Sequence, residues 1–201
     1  MKGLILAAGL GTRLRPLSSI RPKHVVAVAN KPLIVHSLDN LVEAGVQHVG
    51  IVVSHLTVDY IKEALESYDA AKITYINQEP PLGLAHAVKV SQDFLNDDPF
   101  VMYLADNLFE HGIREFVDAF KPEEGVNAVL ALVPVDNPRA FGVAVVKGDR
   151  VERLVEKPQN PPSNLAVAGV YVFDSHVHDI IEQLEPSARG EYEITDAIQG
   201  L

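Results

Sequence analysis

Short apolar runs alternate with helically spaced apolar residues along the first two thirds of the chain. Residues 4–7, 49–53 and 100–104 are short, buried-strand-like runs, and residues 33–44 carry apolar side chains at helical spacing before Gly45. This alternation predicts an α/β fold in three αβα layers, with a mostly parallel, Rossmann-like sheet. The same pattern predicts further strands at 73–76 and 128–133, and helices at 58–67, 84–94 and 113–120.

The pattern changes after residue 135. Residues 143–146 and 151–154 flank a Gly148-Asp149 turn that is typical of a β-hairpin. Residues 165–173 form another β-rich run, and helices are predicted at 177–184 and from 194 onwards. We expect a single domain over residues 1–201, with a core at 1–135 and a second part at 136–201. The β-rich insertion, around residues 136–170, is expected to pack on the sheet.

The composition and charge of the chain exclude several classes of protein. The 201 residues are 47% hydrophobic, enough for one packed domain, and no apolar run reaches the roughly 18 residues of a membrane span. No signal-peptide layout precedes the first strand, so we expect a cytoplasmic protein without membrane contacts. Absence of cysteine excludes disulfides and thiol catalysis, and a net charge of −10 argues against non-specific nucleic-acid binding.

The N-terminal segment departs from this acidic balance. Residues 1–31 contain six Lys or Arg and no Asp or Glu. The first strand runs into the small-residue turn Ala8-Gly9-Leu10-Gly11-Thr12, followed by the cations Arg13, Arg15, Arg21 and Lys23. Small residues let backbone N–H groups approach a polyphosphate, and fixed cations neutralise it. A nucleoside triphosphate is the indicated ligand, and the alternative is an ordinary turn with a solvated basic face.

Neither of two common phosphate-binding motifs fits this turn. A Walker loop requires Gly-Lys-Ser/Thr after four intervening residues, and that pattern is absent. The dinucleotide fingerprint requires a third Gly after Gly9 and Gly11, where the chain has Leu14.

Three further segments carry groups suited to substrate binding. Asp106 follows a buried strand, so its carboxylate is either a Mg²⁺ ligand beside a triphosphate or a turn-capping group. Gln78, with Gly83 after it, can bind a pyrimidine edge or can be an ordinary loop residue. Glu156 and Lys157 can bind sugar hydroxyls and a phosphate, or can form a solvated ion pair.

Several motifs occur together in the order found in one enzyme family. The chain resembles the glucose-1-phosphate thymidylyltransferases, among the sugar-1-phosphate nucleotidyltransferases, along nearly its whole length. The segments that carry the resemblance are 6–17 (LAAGLGTRLRPL), 21–23 (RPK), 28–32 (VANKP), 81–87 (PLGLAHA), Asp106-Asn107, Phe141-Gly142, 156–158 (EKP) and 189–196 (RGEYEITD).

The resemblance implies the nucleotide-diphospho-sugar transferase fold and transfer of a nucleotidyl group from dTTP to glucose-1-phosphate, giving dTDP-glucose and pyrophosphate. The implied substrates are a nucleoside triphosphate, dTTP or UTP, and a sugar-1-phosphate. Residues 136–201 would then be the sugar-binding part. The implied nucleotide-binding residues are Ala8, Gly9, Gly11, Thr12, Arg13, Lys23, His24, Gln78 and Gly83. The implied sugar-binding residues are Asp106, Gly142, Glu156, Lys157 and Val167, with Asp106 also holding Mg²⁺. Arg13, Lys23, Asp106 and Lys157 would be catalytic, and a homo-oligomer is left open.

Two departures from the family pattern bear on activity. His24 stands where many relatives have Gln, and the family's second metal-binding Asp, in a Trp-x-Asp-Thr-Gly motif, has no counterpart here. The sugar-binding part is therefore expected to be incomplete at its C-terminus. Uridylyl or guanylyl transfer to another sugar phosphate, a non-catalytic nucleotide-binding regulator, and a shortened nucleotide-binding core are the alternatives.

Overall fold

The computed structural model of the chain describes residues 1–9 and 21–201. These residues hold ten strands and seven α-helices. The strands are β1 (Lys2–Leu6), β2 (Ala27–Val28), β3 (Lys31–Pro32), β4 (His48–Val53), β5 (Lys72–Asn77), β6 (Phe100–Leu104), β7 (Ala128–Pro134), β8 (Gly142–Lys147), β9 (Arg150–Glu156) and β10 (Leu165–Phe173). The helices are α1 (Leu33–Glu43), α2 (Val58–Ala64), α3 (Leu84–Lys89), α4 (Gln92–Leu95), α5 (Arg114–Ala119), α6 (His176–Glu182) and α7 (Ile194–Gly200).

Four parallel strands form the first half of the sheet, in the order β5-β4-β1-β6. Leu4 of β1 is paired with Gly50 of β4 on one side and with Met102 of β6 on the other. Parallel strands require crossover connections, which explains why helical segments separate them in the sequence. The carboxyl ends of all four strands lie at one edge of the sheet, where open α/β sheets bind ligands.

The second half of the sheet is antiparallel and is organised by β10. The last residues of β10 pair with both β6 and β7, and its first residues pair with β7 and β8. The hairpin β8–β9 then completes an eight-stranded sheet. The expectation that this β-rich region packs on the sheet is therefore wrong, because the hairpin extends the sheet. The backbone groups at the edge of β10 gain hydrogen-bonding partners in this way.

Successive residues of a strand face opposite sides of the sheet, and each side is covered by its own helices. In β1, Leu4 and Leu6 belong to a core that includes side chains of α3, α6 and α7, whereas Ile5 belongs to a core with α1 and α2. This alternation follows from the two-residue period of a strand. The predicted αβα arrangement is confirmed.

One predicted helix, at residues 84–94, is divided into α3 and α4. Ser91 is buried at the break, and its hydroxyl donates to the carbonyl of Ala87 at 2.7 Å. A serine hydroxyl that bonds the carbonyl four residues earlier competes with the helical backbone and bends it.

None of the helices in the described part of the chain is long and apolar enough to cross a membrane.

Candidate active site

In the described part of the chain, the loops that follow β1 and β5 carry four of the predicted nucleotide-binding residues: Ala8, Gly9, Gln78 and Gly83. Ala8 follows β1 and is nearly buried, and its carbonyl accepts a hydrogen bond from Ser54 Oγ, after β4, at 3.1 Å. Gly9 is exposed at the end of this segment. Gly11, Thr12 and Arg13 lie outside the described residues, so the structure describes only the entry to the predicted phosphate loop.

An ion pair joins two predicted catalytic residues. Lys23, in a short 3-10 turn, contacts Asp106 Oδ2, after β6, and both side chains are only partly exposed. Burial by itself would raise the pKa of Asp106, but the hydrogen bond and charge of Lys23 outweigh it and hold this pKa below its usual value. The Asp106 carboxylate is thus ionised at neutral pH, and its contact with Lys23 holds that side chain at the ligand-binding edge of the sheet.

Asn107 anchors Asp106 to β10. Its side-chain nitrogen donates to Asp106 Oδ1 at 3.1 Å, and its side-chain oxygen accepts from the backbone N–H of Gly169 at 3.3 Å. A Cβ on Gly169 would lie 2.5 Å from Asn107 Cγ, so only glycine leaves room for this contact. The sequence placed Asn107 next to Asp106 without assigning it a role.

His24 lies beside this ion pair in an environment that opposes its protonation. Its side chain is 1% exposed, and its Nδ1 has no hydrogen-bond partner among the described residues. Burial, with the neighbouring charge of Lys23, lowers its pKa to about 3. His24 is therefore neutral in the folded chain at physiological pH. In mild acid, it would gain a proton when the chain unfolds.

Replacing His24 by Gln is expected to reduce the acid sensitivity of the fold. Below pH 6.5 the unfolded chain protonates His24, but the folded chain does not until about pH 3. His24 therefore lowers the free energy of unfolding by up to about 1.4 kcal/mol for each pH unit below 6.5. Urea titrations between pH 7 and pH 4, without added divalent metal, should show a shallower loss of stability in His24→Gln than in the wild type.

The exposed His111→Gln variant is the matched control and should keep the wild-type slope. Parallel stability–pH curves for the wild type and His24→Gln would contradict the assignment of a buried, neutral His24.

Gln78 and Gly83 lie together, as predicted, at the end of β5. The side chain of Gln78 is buried, and its Nε2 donates to the carbonyl of Gly83 at 2.9 Å. The same Nε2 lies 3.1 Å from His86 Nδ1, in α3. The ring of His86 stacks on that of Tyr192 with centroids 6.2 Å apart.

The segment before α7 is bound directly to this loop. The backbone N–H of Tyr192 donates to the carbonyl of Leu82 at 2.8 Å, and the N–H of Ala85 donates to the carbonyl of Tyr192 at 3.1 Å. Gly83 has φ +107°, and a Cβ there would lie 2.6 Å from the Tyr192 carbonyl oxygen. Glycine is required here by conformation and by space.

Four of the predicted sugar-binding residues converge at the end of the β8–β9 hairpin, whereas the fifth, Asp106, lies after β6. Gly142 is paired with Glu156 in the hairpin register. A Cβ on Gly142 would lie 3.1 Å from Glu156 Oε2 and 3.9 Å from Val167 Cγ2. Thr195, at the start of α7, donates to Glu156 Oε2 at 3.4 Å. The sequence did not single out Thr195, although it belongs to a family-like segment.

A second cation accompanies Lys157 in this cluster. Lys157 Nζ lies 3.1 Å from Glu156 Oε1, and a guanidinium nitrogen of Arg189 lies 3.7 Å from the same oxygen. Two guanidinium nitrogens of Arg189 also bond the buried carboxylate of Glu193, at 2.8 to 3.0 Å. Arg189 was not among the predicted site residues. Lys157 and Arg189 thus place two cations beside the Glu156 carboxylate, although Arg189 is also paired with Glu191 and Glu193.

The arrangement of possible metal-ligating side chains limits where a metal ion could bind. Among residues 1–9 and 21–201, no three His, Cys, Asp or Glu side chains come together as a metal-binding group. Asp106 offers a hard carboxylate oxygen that is partly exposed at the ligand-binding edge of the sheet. Because Mg²⁺ commonly takes only one or two carboxylates together with phosphate oxygens and waters, this single group fits a Mg²⁺–triphosphate complex.

The chain is similar over its full length to several nucleotidyltransferases. It is 48% identical to the low-salt glycan biosynthesis nucleotidyltransferase Agl11 of Haloferax volcanii and 46% identical to a glucose-1-phosphate thymidylyltransferase of Streptomyces antibioticus. The whole chain is covered in both cases, but it spans only 57% of the length of each relative. A UTP–glucose-1-phosphate uridylyltransferase, AglF of Haloferax volcanii, is 36% identical over 98% of the chain and 82% of its own length.

A solved structure agrees with these relatives. A Bacillus anthracis protein assigned as a glucose-1-phosphate thymidylyltransferase, in complex with a sucrose, superposes with a TM-score of 0.89. It is 36% identical, and the match covers 98% of this chain and 80% of that one. The nucleotidyl transferase family matches residues 2–201. From this match and these relatives, the chain belongs to the nucleotidyl transferase family.

Proposed function

We propose that this protein transfers a nucleotidyl group from a nucleoside triphosphate to a sugar-1-phosphate, with dTTP and glucose-1-phosphate as the favoured pair. The observation that carries the proposal is the Lys23–Asp106 ion pair. This pair lies at the ligand-binding edge of the parallel strands. Asn107 links it by a hydrogen bond to β10, the strand that also carries Val167, one of the predicted sugar-binding residues. A cationic nucleotide site and a sugar-phosphate site would thus be adjacent.

The proposed chemistry is a single in-line displacement. An oxygen of the sugar-1-phosphate attacks the α-phosphorus, a new P–O bond forms, and the bond from that phosphorus to the β-phosphate oxygen breaks to release pyrophosphate. Both reactants are anionic, so the largest contribution from the protein is positive charge held in place. Lys23 would neutralise the reacting phosphate, and Lys157 would orient the attacking one.

Arg13 would bind the nucleotide phosphates in this proposal, and Asp106 would hold Mg²⁺. When bound, Mg²⁺ would supply further positive charge to the phosphate oxygens. In the structure, Lys23 contacts Asp106. When a substrate phosphate binds, the ammonium group of Lys23 would interact with both the carboxylate and the phosphate. Gln78 and Gly83 would hold the base, and Gly142, Glu156 and Val167 the sugar.

Uridylyl transfer is the second candidate. The similarity to AglF, named as a UTP–glucose-1-phosphate uridylyltransferase, supports it. Thymine and uracil present the same imide edge, so the Gln78 amide could accept either base.

Calorimetric binding of dTTP, UTP, CTP, GTP and ATP, each with Mg²⁺, tests the nucleotide site. Chromatographic detection of sugar nucleotide and pyrophosphate, after addition of glucose-1-phosphate, tests the transfer. We expect dTTP or UTP to bind most tightly and to be converted. Purine preference would overturn the proposed base, and binding without product would favour a nucleotide-binding regulator.

Lys157→Ala is expected to raise KM for glucose-1-phosphate by about 10- to 100-fold and to change nucleotide affinity less than about threefold. The expected loss corresponds to one charge-assisted hydrogen bond, about 1.5–3 kcal/mol. Initial rates at varied glucose-1-phosphate, with calorimetry for the nucleotide, would measure the two effects separately.

Lys147→Ala is the control, because Lys147 lies on the same hairpin and is largely exposed, 3.9 Å from Glu152. Its KM should match the wild type. A larger effect on nucleotide affinity than on KM would show that Lys157 serves the other substrate.

A further inference from the structure

The hydrogen bonds of Gln78 define the direction of its amide. The carbonyl oxygen of Gly83 can only accept a hydrogen bond, so the amide group facing it at 2.9 Å must be the Nε2 donor. The second hydrogen of Nε2 is directed to His86 Nδ1 at 3.1 Å. With both amide hydrogens engaged, the remaining hydrogen-bonding group of Gln78 is the acceptor Oε1.

This arrangement also defines the tautomer of His86. Because Nε2 of Gln78 donates, Nδ1 of His86 must be the acceptor, and a neutral ring then carries its hydrogen on Nε2. Burial and the charge of Lys89, on the same helix, lower the pKa of His86, which favours this neutral form. Stacking on Tyr192, from the segment before α7, holds the plane of the ring.

We propose that His86 is a positioning residue for base selectivity, because its Nδ1 fixes Gln78 so that the base meets an acceptor and not a donor. This inference rests on the proposed function. A base with a ring N–H, such as the N3–H of uracil or thymine, can then donate to Gln78 Oε1. Cytosine carries a lone pair at N3 and would face another lone pair, so the site should discriminate against it.

Rotation of the Gln78 amide would disturb both contacts. With Oε1 turned inward, it would face the Gly83 carbonyl, which repels an acceptor, and His86 would have to move its hydrogen from Nε2 to Nδ1 to keep a bond. Without His86, only the bond to Gly83 opposes rotation. His86 would therefore influence which nucleotide binds, although it need not contact the base.

Three chains test the proposal: the wild type, His86→Leu and His86→Asn. Leu removes the acceptor, whereas the Asn side chain keeps an oxygen that can accept from Gln78 Nε2. Dissociation constants for UTP and CTP with Mg²⁺, measured by calorimetry, give a selectivity ratio for each chain. We expect this ratio to fall about tenfold in His86→Leu and to stay within about threefold of the wild type in His86→Asn. Thermal unfolding checks that each variant is folded.

The outcomes separate this inference from the proposed function. If the wild type prefers UTP to CTP and His86→Leu retains that preference, the positioning role is wrong and the proposed function stands. Equal losses in His86→Leu and His86→Asn would also overturn it, because packing on Tyr192 would then be what matters. If the wild type binds neither nucleotide, the proposed function and the inference both fail.

Discussion

Replacing Lys23 by Ala is expected to lower kcat/KM by about 100- to 1,000-fold. In the proposed reaction Lys23 is a fixed cation at the reacting phosphate, and removal of one such electrostatic group costs roughly 3–4 kcal/mol of transition-state stabilisation. The variant also leaves the carboxylate of Asp106 without its cationic partner, which weakens phosphate binding further. Initial rates of pyrophosphate release with dTTP or UTP and glucose-1-phosphate measure the effect.

Lys31→Ala is the matched control for this prediction. Lys31 belongs to the same basic N-terminal segment, but its ammonium group is paired with Asp39 at 2.7 Å, and its side chain is 45% exposed. We expect its kcat/KM to remain within about twofold of the wild type. Similar losses in the two variants would show that the segment acts through its total charge and that Lys23 has no specific role.

Gly83→Ala is expected to lower the free energy of unfolding by about 3 kcal/mol. Two effects combine: a φ of +107° strains any residue with a Cβ, and the added methyl group would lie 2.6 Å from the Tyr192 carbonyl oxygen. For a chain of this size, 3 kcal/mol corresponds to a decrease in Tm of about 6–12 °C. Thermal unfolding and guanidinium titration would measure it.

Gly125→Ala separates the two effects. Gly125 also has a positive φ, +78°, but no atom lies within 4 Å of where its Cβ would be. This variant should lose only about 1 kcal/mol. If Gly83→Ala costs no more than Gly125→Ala, the contact with Tyr192 contributes nothing to stability.

The sequence predicts the parallel half of the fold well because its signals are local. Each of β1, β4 and β6 is a short apolar run beside a helical pattern, and the strand ends predict that Gln78 and Asp106 follow the sheet at the same edge. In the hairpin, the Gly148-Asp149 turn pairs Lys147 with Arg150. A register shift between Val145 and Val146, which the turn does not predict, then brings Gly142 opposite Glu156.

The contacts that complete the candidate site are long-range and have no local signal. Arg189 approaches Glu156 from 33 residues further along the chain, and the contact of Asn107 with Gly169 spans 62 residues. The pairing of β8 with β10, which joins the hairpin to the sheet, links Val143 with Ala166, 23 residues further along the chain. Pattern and turn chemistry do not encode such pairings.

The segment 187–195 contacts both the loop proposed to bind the base and the residues proposed to bind the sugar. Its Tyr192 is hydrogen-bonded to the loop that would hold the base, and its Arg189 and Thr195 reach the Glu156 cluster that would hold the sugar. Residues in direct contact do not respond independently to substitution. A chimera that takes residues 78–86 from a relative with another base preference therefore also needs that relative's residues 187–195, and new base–sugar combinations are most accessible when both segments are exchanged together.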